Sequence, residues 1–278
     1  MAICQVTARC PACFGVLRRP VRAGGRWHGA VPGRWRGAVP GPVAWQAGSV
    51  YRERPAEMIA GAVLWATESR PDAAPTRVLP DGCLDLLWSS RAGLLVAGPD
   101  RTAYLSLSRQ GERWRGVRLP PGLGPAVFGV PADELRDRRV PLDALWGRTA
   151  LRLADQLGAS PTAADLATVA ADRLARVGGA DPLGPRVAAL LAAGATVTAT
   201  AAEVGLGPRA LHRRSQALFG YGPKTLARIL RLRRALALAG RGVGLAEVAA
   251  CAGYADQAHF TRDARDLAGV TPTTLLAR

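Results

Sequence analysis

The final third of the chain states one pattern twice. Ala201, Gly205, Leu211, Gly220, Pro223, Thr225 and Leu226 recur as Ala249, Gly253, Phe260, Gly269, Pro272, Thr274 and Leu275. The offset is 48 residues at the first two positions and 49 afterwards, which puts one extra residue in the turn of the second copy. In each copy a small residue allows helices to cross closely, a glycine takes the positive φ of a turn, and apolar residues follow at helical spacing. This is the plan of a helix-turn-helix unit. Two in tandem place two recognition helices on one polypeptide, and that points to DNA.

Charge is distributed to match. The chain of 278 residues carries a formal net charge of +16. Residues 185–278 contribute +8 and residues 1–49 contribute +7, whereas 50–150 and 151–184 are nearly neutral at +2 and −1. A basic C-terminal segment beside a balanced one suits a reader of a polyanion joined to a second, different module. No apolar run reaches the ~18 residues of a membrane helix. A cytoplasmic location is expected, without membrane association.

Residues 1–49 are unlike a domain. Gly-Arg-Trp-His-Gly-Ala-Val-Pro at 25–32 is followed by Gly-Arg-Trp-Arg-Gly-Ala-Val-Pro at 33–40. Such a Gly, Pro and Arg repeat buries too little surface to order itself, so a disordered basic leader is expected. A nucleic-acid-binding arm using Trp27 and Trp35 is one alternative, and a native start later in the sequence, at Val50, is another. Cys10 and Cys13 form a CxxC, but only Cys4 is near and no second pair follows at zinc-finger spacing, so free thiols and no metal are expected. Cys83 and Cys251 sit in apolar patterns as small core residues.

From about residue 60 the pattern turns to short strands. Candidates are 62–66, 77–79, 83–88, 94–97, 102–108 and 114–119, punctuated by Pro80-Asp81-Gly82, Gly98-Pro99-Asp100 and Pro120-Pro121-Gly122. This spacing argues a β-sandwich or half-barrel over residues 50–140. Asp85 lies in an apolar run, on the solvent side of a strand or as a ligand contact. Trp65, Trp88 and Trp114 either pack in a core or line a pocket. No catalytic set occurs here, and His28, His212 and His259 all lie elsewhere. A helical connector is expected over 141–184. One apolar series runs from Leu142 to Leu157, and Ser160-Pro161 starts a second helix. The Gly178-Gly179 and Asp181–Pro185 stretch is the clearest linker.

In the first C-terminal unit, Pro208 opens a helix whose Leu211 and Leu218 point inward. Arg209, His212 and Arg213 then share the outward face near its start, the part of a recognition helix that meets base edges. Arg pairs with guanine O6 and N7, worth roughly 1–3 kcal/mol of discrimination. In the second unit Asp256 caps the helix, and Gln257, Ala258, His259 and Arg262 are the base-contact candidates. Between them, Pro223–Ala239 buries Leu226, Ile229, Leu230 and Leu236. Lys224, Arg228, Arg231 and Arg234 form a second stripe, with no acid between Tyr221 and Val243. A solvated face usually mixes signs, so phosphate contact is expected.

These residues resemble the AraC/XylS class of bacterial transcription regulators. The resemblance is carried by Gly205-Leu206 through Leu211-His212-Arg213-Arg214, by Phe219-Gly220-Tyr221-Gly222-Pro223-Lys224, by Gly253–Phe260 and by Gly269-Val270-Thr271-Pro272. It covers residues 185–278. Two departures stand out: Ser215 replaces a large apolar residue, and Gly207 replaces a Ser cap, which implies a less firmly anchored first recognition helix. Leu79–Leu86, Gly98-Pro99 and Gly116–Gly122 are similar to an uncharacterised β-rich domain of some AraC-type regulators, which implies a sensor of an unknown small-molecule effector or a governor of assembly.

The expected fold class is α+β: a β-rich N-terminal sandwich or half-barrel, a helical connector, then an all-α tandem helix-turn-helix domain. The expected function is a sequence-specific transcription regulator whose two recognition helices sit about one DNA turn, ~34 Å, apart on double-stranded DNA. No cofactor and no catalysis are expected. Contact with RNA polymerase and a homodimer stay open. Rival readings are a DNA-repair alkyl-acceptor enzyme carrying the same module, for which the leader offers one Cys too few, and an architectural DNA-binding protein.

Overall fold

Alternating apolar residues in β4 (Leu84–Ser89) and β7 (Arg113–Leu119) lie at the middle of an antiparallel sheet. The strand order is β1-β2-β7-β4-β5-β8, with β1 at Arg52–Pro55, β2 at Val63–Glu68, β5 at Gly93–Ala97 and β8 at Arg139–Pro141. Register pairs Leu86 with Val117 and Val96, and Leu64 with Val117, so these side chains share one face. β3 (Thr76–Val78) and β6 (Tyr104–Ser106) pair separately as a two-stranded ribbon. This computed structural model describes residues 51–69 and 75–277. The readings made for residues 1–49 lie outside them.

Helices cover the sheet's apolar face. α1 (Gly124–Phe128) and a short 3-10 turn (Ala132–Glu134) lie between β7 and β8, and α2 (Leu142–Trp146), α3 (Arg148–Leu157) and α4 (Ala163–Arg176) follow β8. α4 lies across β2, β4 and β7 and seats Leu166, Ala167 and Ala170 against Leu84, Leu86 and Val117. Trp88 belongs to this core, while Trp65 and Trp114 are half-buried on the sheet's other side.

Asp85 corrects the sequence reading. It is 8% exposed and faces protein, not solvent. Its Oδ2 accepts from Trp65 Nε1 at 2.9 Å, and Arg118 Nε reaches Oδ1 at 3.2 Å from the neighbouring strand. Burial pushes the Asp85 carboxyl up from its ordinary range while Arg118 pulls it down. Arg118 stays charged, because Asp85 and Asp81 outweigh the effect of burial. The periodic rule failed here because β4 is buried on both faces.

Other boundaries moved for local reasons. Gly147, at φ 52 and ψ −134, breaks the expected 142–157 helix into α2 and α3. α4 begins after Thr162, not Ser160, because Thr162 and Asp165 form a reciprocal capping box. The expected strand at 102–108 keeps only three residues. β1, β8 and α1 are short pieces whose pairing and packing no periodicity announces.

α5 (Leu183–Ala192) takes up the end of the expected linker. Gly184 touches Gly122 backbone to backbone: a Cβ on Gly122 would come 2.8 Å from the Gly184 Cα. Only glycine permits that approach. α6 (Val197–Glu203), α7 (Pro208–Phe219), α8 (Pro223–Ala239), α9 (Leu245–Ala252), α10 (Gln257–Ala268) and α11 (Pro272–Leu276) complete the chain. Leu211, Phe219, Leu226, Ile229, Leu236, Val248 and Phe260 fill their shared core, as helical spacing predicts. Leu79 of the β-rich region is buried in that same core.

Candidate nucleic-acid interface

The two copies fold alike down to single hydrogen bonds. In the first turn, Leu206 N–H donates to the Ala201 carbonyl at 2.9 Å; in the second, Tyr254 N–H donates to Ala249 at 2.9 Å. Gly205 and Gly253 follow at φ 68 and φ 80, the left-handed backbone that closes each supporting helix. Ala255 is the inserted residue of the second turn. The recognition helices then start differently. Asp256 caps α10, its carboxylate accepting from His259 N–H at 2.6 Å, whereas Gly207 offers α7 no side-chain cap.

Arg209, His212 and Arg213 on α7 are exposed, and so are Gln257, Ala258 and Arg262 on α10. Arg213 and Arg262 occupy the same place in the two copies, 49 residues apart. The histidines have structural contacts as well. His212 packs over the start of α8, where a Cβ on Gly222 would lie 2.6 Å from its ring. His259 is half-buried, edge-on to Tyr254 with centroids 5.2 Å apart.

The basic stripe of α8 is mostly turned to internal work. Arg228 Nε donates to Asp263 Oδ1 at 2.7 Å and its Nη2 lies 3.0 Å from Asp266 Oδ2. Arg231 Nη2 reaches Asp263 Oδ2 at 3.2 Å, and its guanidinium stacks 4.3 Å above the Tyr254 ring. Arg234 donates to the Ala192 and Ala252 carbonyls at 2.6 and 2.5 Å, closing the ends of α5 and α9. Of the four, Lys224 alone is fully on the surface. Burial alone would lower the Arg228 pKa, yet Asp263 and Asp266 carry it above the ordinary range. The phosphate reading of Arg228, Arg231 and Arg234 therefore meets a competing role. The acids absent from their own helix arrive from α10.

Asp263 is the residue that sequence reasoning missed. Its side chain is 4% exposed and accepts from Arg228, Arg231 and the Tyr254 hydroxyl, the last at 3.0 Å. A signal existed: Asp263 follows Phe260 by three and precedes Leu267 by four, on the inward face of the helix. Burial, with the Asp263 charge beside it, raises the Tyr254 phenol well above its ordinary range.

Among the described residues no group of three or more His, Cys, Asp or Glu is arranged to hold a metal ion, and no helix is long and apolar enough to cross a membrane. The described cysteines, Cys83 and Cys251, are half-buried.

Residues 200–278 match the family described as a helix-turn-helix domain, and residues 55–141 match a family described as a domain of unknown function. No curated protein matches the chain. Among solved structures, a probable AraC family transcriptional regulator from Rhodopseudomonas palustris CGA009 is 26% identical, over 34% of this chain and 95% of that one, with a TM-score of 0.31. ToxT from Vibrio cholerae O395 is 9% identical, over 81% of this chain and 96% of its own, with a TM-score of 0.42. Unsaturated fatty acid bound wild-type ToxT from V. cholerae strain SCE256 is 10% identical, over 83% and 96%, at 0.41. The helix-turn-helix domain at residues 200–278 supports a role in DNA-binding transcription regulation. Its C-terminal region is a helix-turn-helix domain, preceded by a β-rich domain of unknown function.

Proposed function

We propose that this protein is a sequence-specific, cytoplasmic regulator that grips two successive major-groove segments of one duplex, with α7 in the first and α10 in the second. The observation that carries this reading is the exposure of Arg213 and Arg262 at equivalent positions of two units built on the same turn. Arg209 beside Arg213, and Gln257 and Ala258 beside Arg262, supply further contacts to base edges, Gln257 to adenine and Ala258 to a thymine methyl. α8 is the spacer between the readers, and about one DNA turn between half-sites follows for a single chain. Lys224, at the exposed start of α8, serves a phosphate.

Selection of bound duplexes from a random pool tests the reading. The expected product is a two-part site whose halves are separated by about ten base pairs. Recovery of unbiased sequence would favour an architectural role and end this proposal.

A further inference from the structure

The β-rich domain holds the C-terminal end of each recognition helix with one arginine. Arg136 Nη1 donates to the Gly220 carbonyl at 2.8 Å, where α7 ends. Arg77 Nη1 donates to the Ala268 carbonyl at 2.8 Å, where α10 ends. Gly220 and Gly269 are equivalent cap residues of the two copies, so the grips fall within one residue of the same place. The last carbonyls of a helix lack partners within it and carry the negative end of its dipole, so a guanidinium satisfies both. A backbone bond reinforces the second grip: Ala103 N–H donates to the Leu267 carbonyl at 2.7 Å.

The stretch between the grips is stiff. Asp137, next to Arg136, has φ 58 and is the residue other than glycine with left-handed backbone among those described. Its carboxylate holds this conformation by accepting from Arg101 N–H at 2.8 Å and Arg101 Nε at 2.7 Å. Arg139 clasps Asp100 through two bonds of 2.8 and 2.6 Å. Gly98 N–H donates to the Arg138 carbonyl at 2.9 Å, and Pro99 packs on Gly220. Residues 98–103 thus run from the first grip to the second as a braced strut. Along α8, Gly82 packs on Leu226 in the first turn and Asp81 faces Arg233 at 3.6 Å further on.

We infer that Arg77 and Arg136 are positioning residues that fix the spacing and relative orientation of the two recognition helices, so that the β-rich domain sets which half-site separation the protein accepts. α8 joins the two units along one path. The strut joins them along a second, and two paths remove the twist that one helix with short turns would allow. A change in the β-rich domain that shifts the strut then alters DNA recognition without touching a base-reading side chain.

The inference rests on the two-groove reading above, and the experiment separates them. Full-length protein is tested against its selected two-part duplex and against duplexes with one base pair added or removed between the halves. Each such change rotates one half-site by about 35° around the DNA axis. The parent is expected to bind the altered spacers at least tenfold more weakly. The R77Q/R136Q protein should bind the selected spacer within about threefold of the parent and lose most of that discrimination. D137N, which loosens the strut without touching the DNA-binding domain, should shift spacer preference in the same direction by a smaller factor, and it decides the matter if the double variant does not fold. Parental spacer discrimination in the folded variants overturns the inference. A parent that selects no two-part site overturns the DNA reading itself.

Discussion

Asp263 Oδ1 stands 2.7 Å from Arg228 Nε, so a buried acid of α10 anchors a base of α8 lying 35 residues earlier. The same carboxylate serves Arg231 and Tyr254, which locks the second recognition helix to the spacer helix. Asp263→Ala removes the shared acceptor of Arg231, the Tyr254 hydroxyl and Arg228, of which Arg228 alone keeps a second acid, Asp266. It should cost about 3 kcal/mol, the lower end for breaking a buried pair from one side. Asp263→Asn keeps an acceptor and should recover part of the loss. Urea unfolding checks this, and an unchanged midpoint for Asp263→Ala would contradict the assigned role.

The unequal helix starts give a second expectation. Asp256→Ala removes a cap that accepts from His259 N–H and should cost about 1 kcal/mol. At Gly207 the backbone is extended, at φ −69 and ψ 158, and a Cβ there meets open space. Gly207→Ser should therefore stabilise by a few tenths of a kcal/mol. Thermal unfolding of both variants should show opposite signs.

Ser215 is 1% exposed and its hydroxyl has no hydrogen-bond partner. The buried oxygen has lost water without compensation. Ser215→Ala should raise stability by about 1 kcal/mol. A loss of similar size in calorimetry would show that Ser215 is satisfied after all.

DNA variants should divide by role. Arg209→Ala, Arg213→Ala and Arg262→Ala should each relax one base preference by about 1–3 kcal/mol. Lys224→Ala should weaken all sequences alike and reduce the slope of log affinity against log salt by about one. Arg231→Ala should instead behave as a stability mutation, its affinity loss following the fraction unfolded. Binding isotherms on the selected site and on single-base variants, at two salt concentrations, separate these outcomes.

The helix-turn-helix fold was largely legible because its signals are local. The turn glycines, the Asp256 cap, Pro208 at the start of α7 and the buried face of α8 depend on residues within a few positions of one another. The repeat then showed that the local plan occurs twice. The β-rich region was legible as well: six of its strands lie where alternation and turn residues place them, one of them shortened to three residues. The edge strands β1 and β8 do not: β1 is exposed along its length and shows no alternation, and β8 pairs with the distant β5.

Charge was where local reading failed. From its own helix the α8 stripe is unopposed, and from its own strand Asp85 belongs in solvent. Asp263 and Arg118 change both conclusions, from 35 and 33 residues away. A charge acts through space, and which charges become neighbours is known only when distant segments have packed. What the sequence determined alone was therefore the periodic and the nearby: two helix-turn-helix units, their caps and cores, and a β-rich partner. Tertiary structure decided the pairings between elements, down to Arg77 meeting Ala268 across 191 residues, because only packing brings such groups within hydrogen-bonding distance.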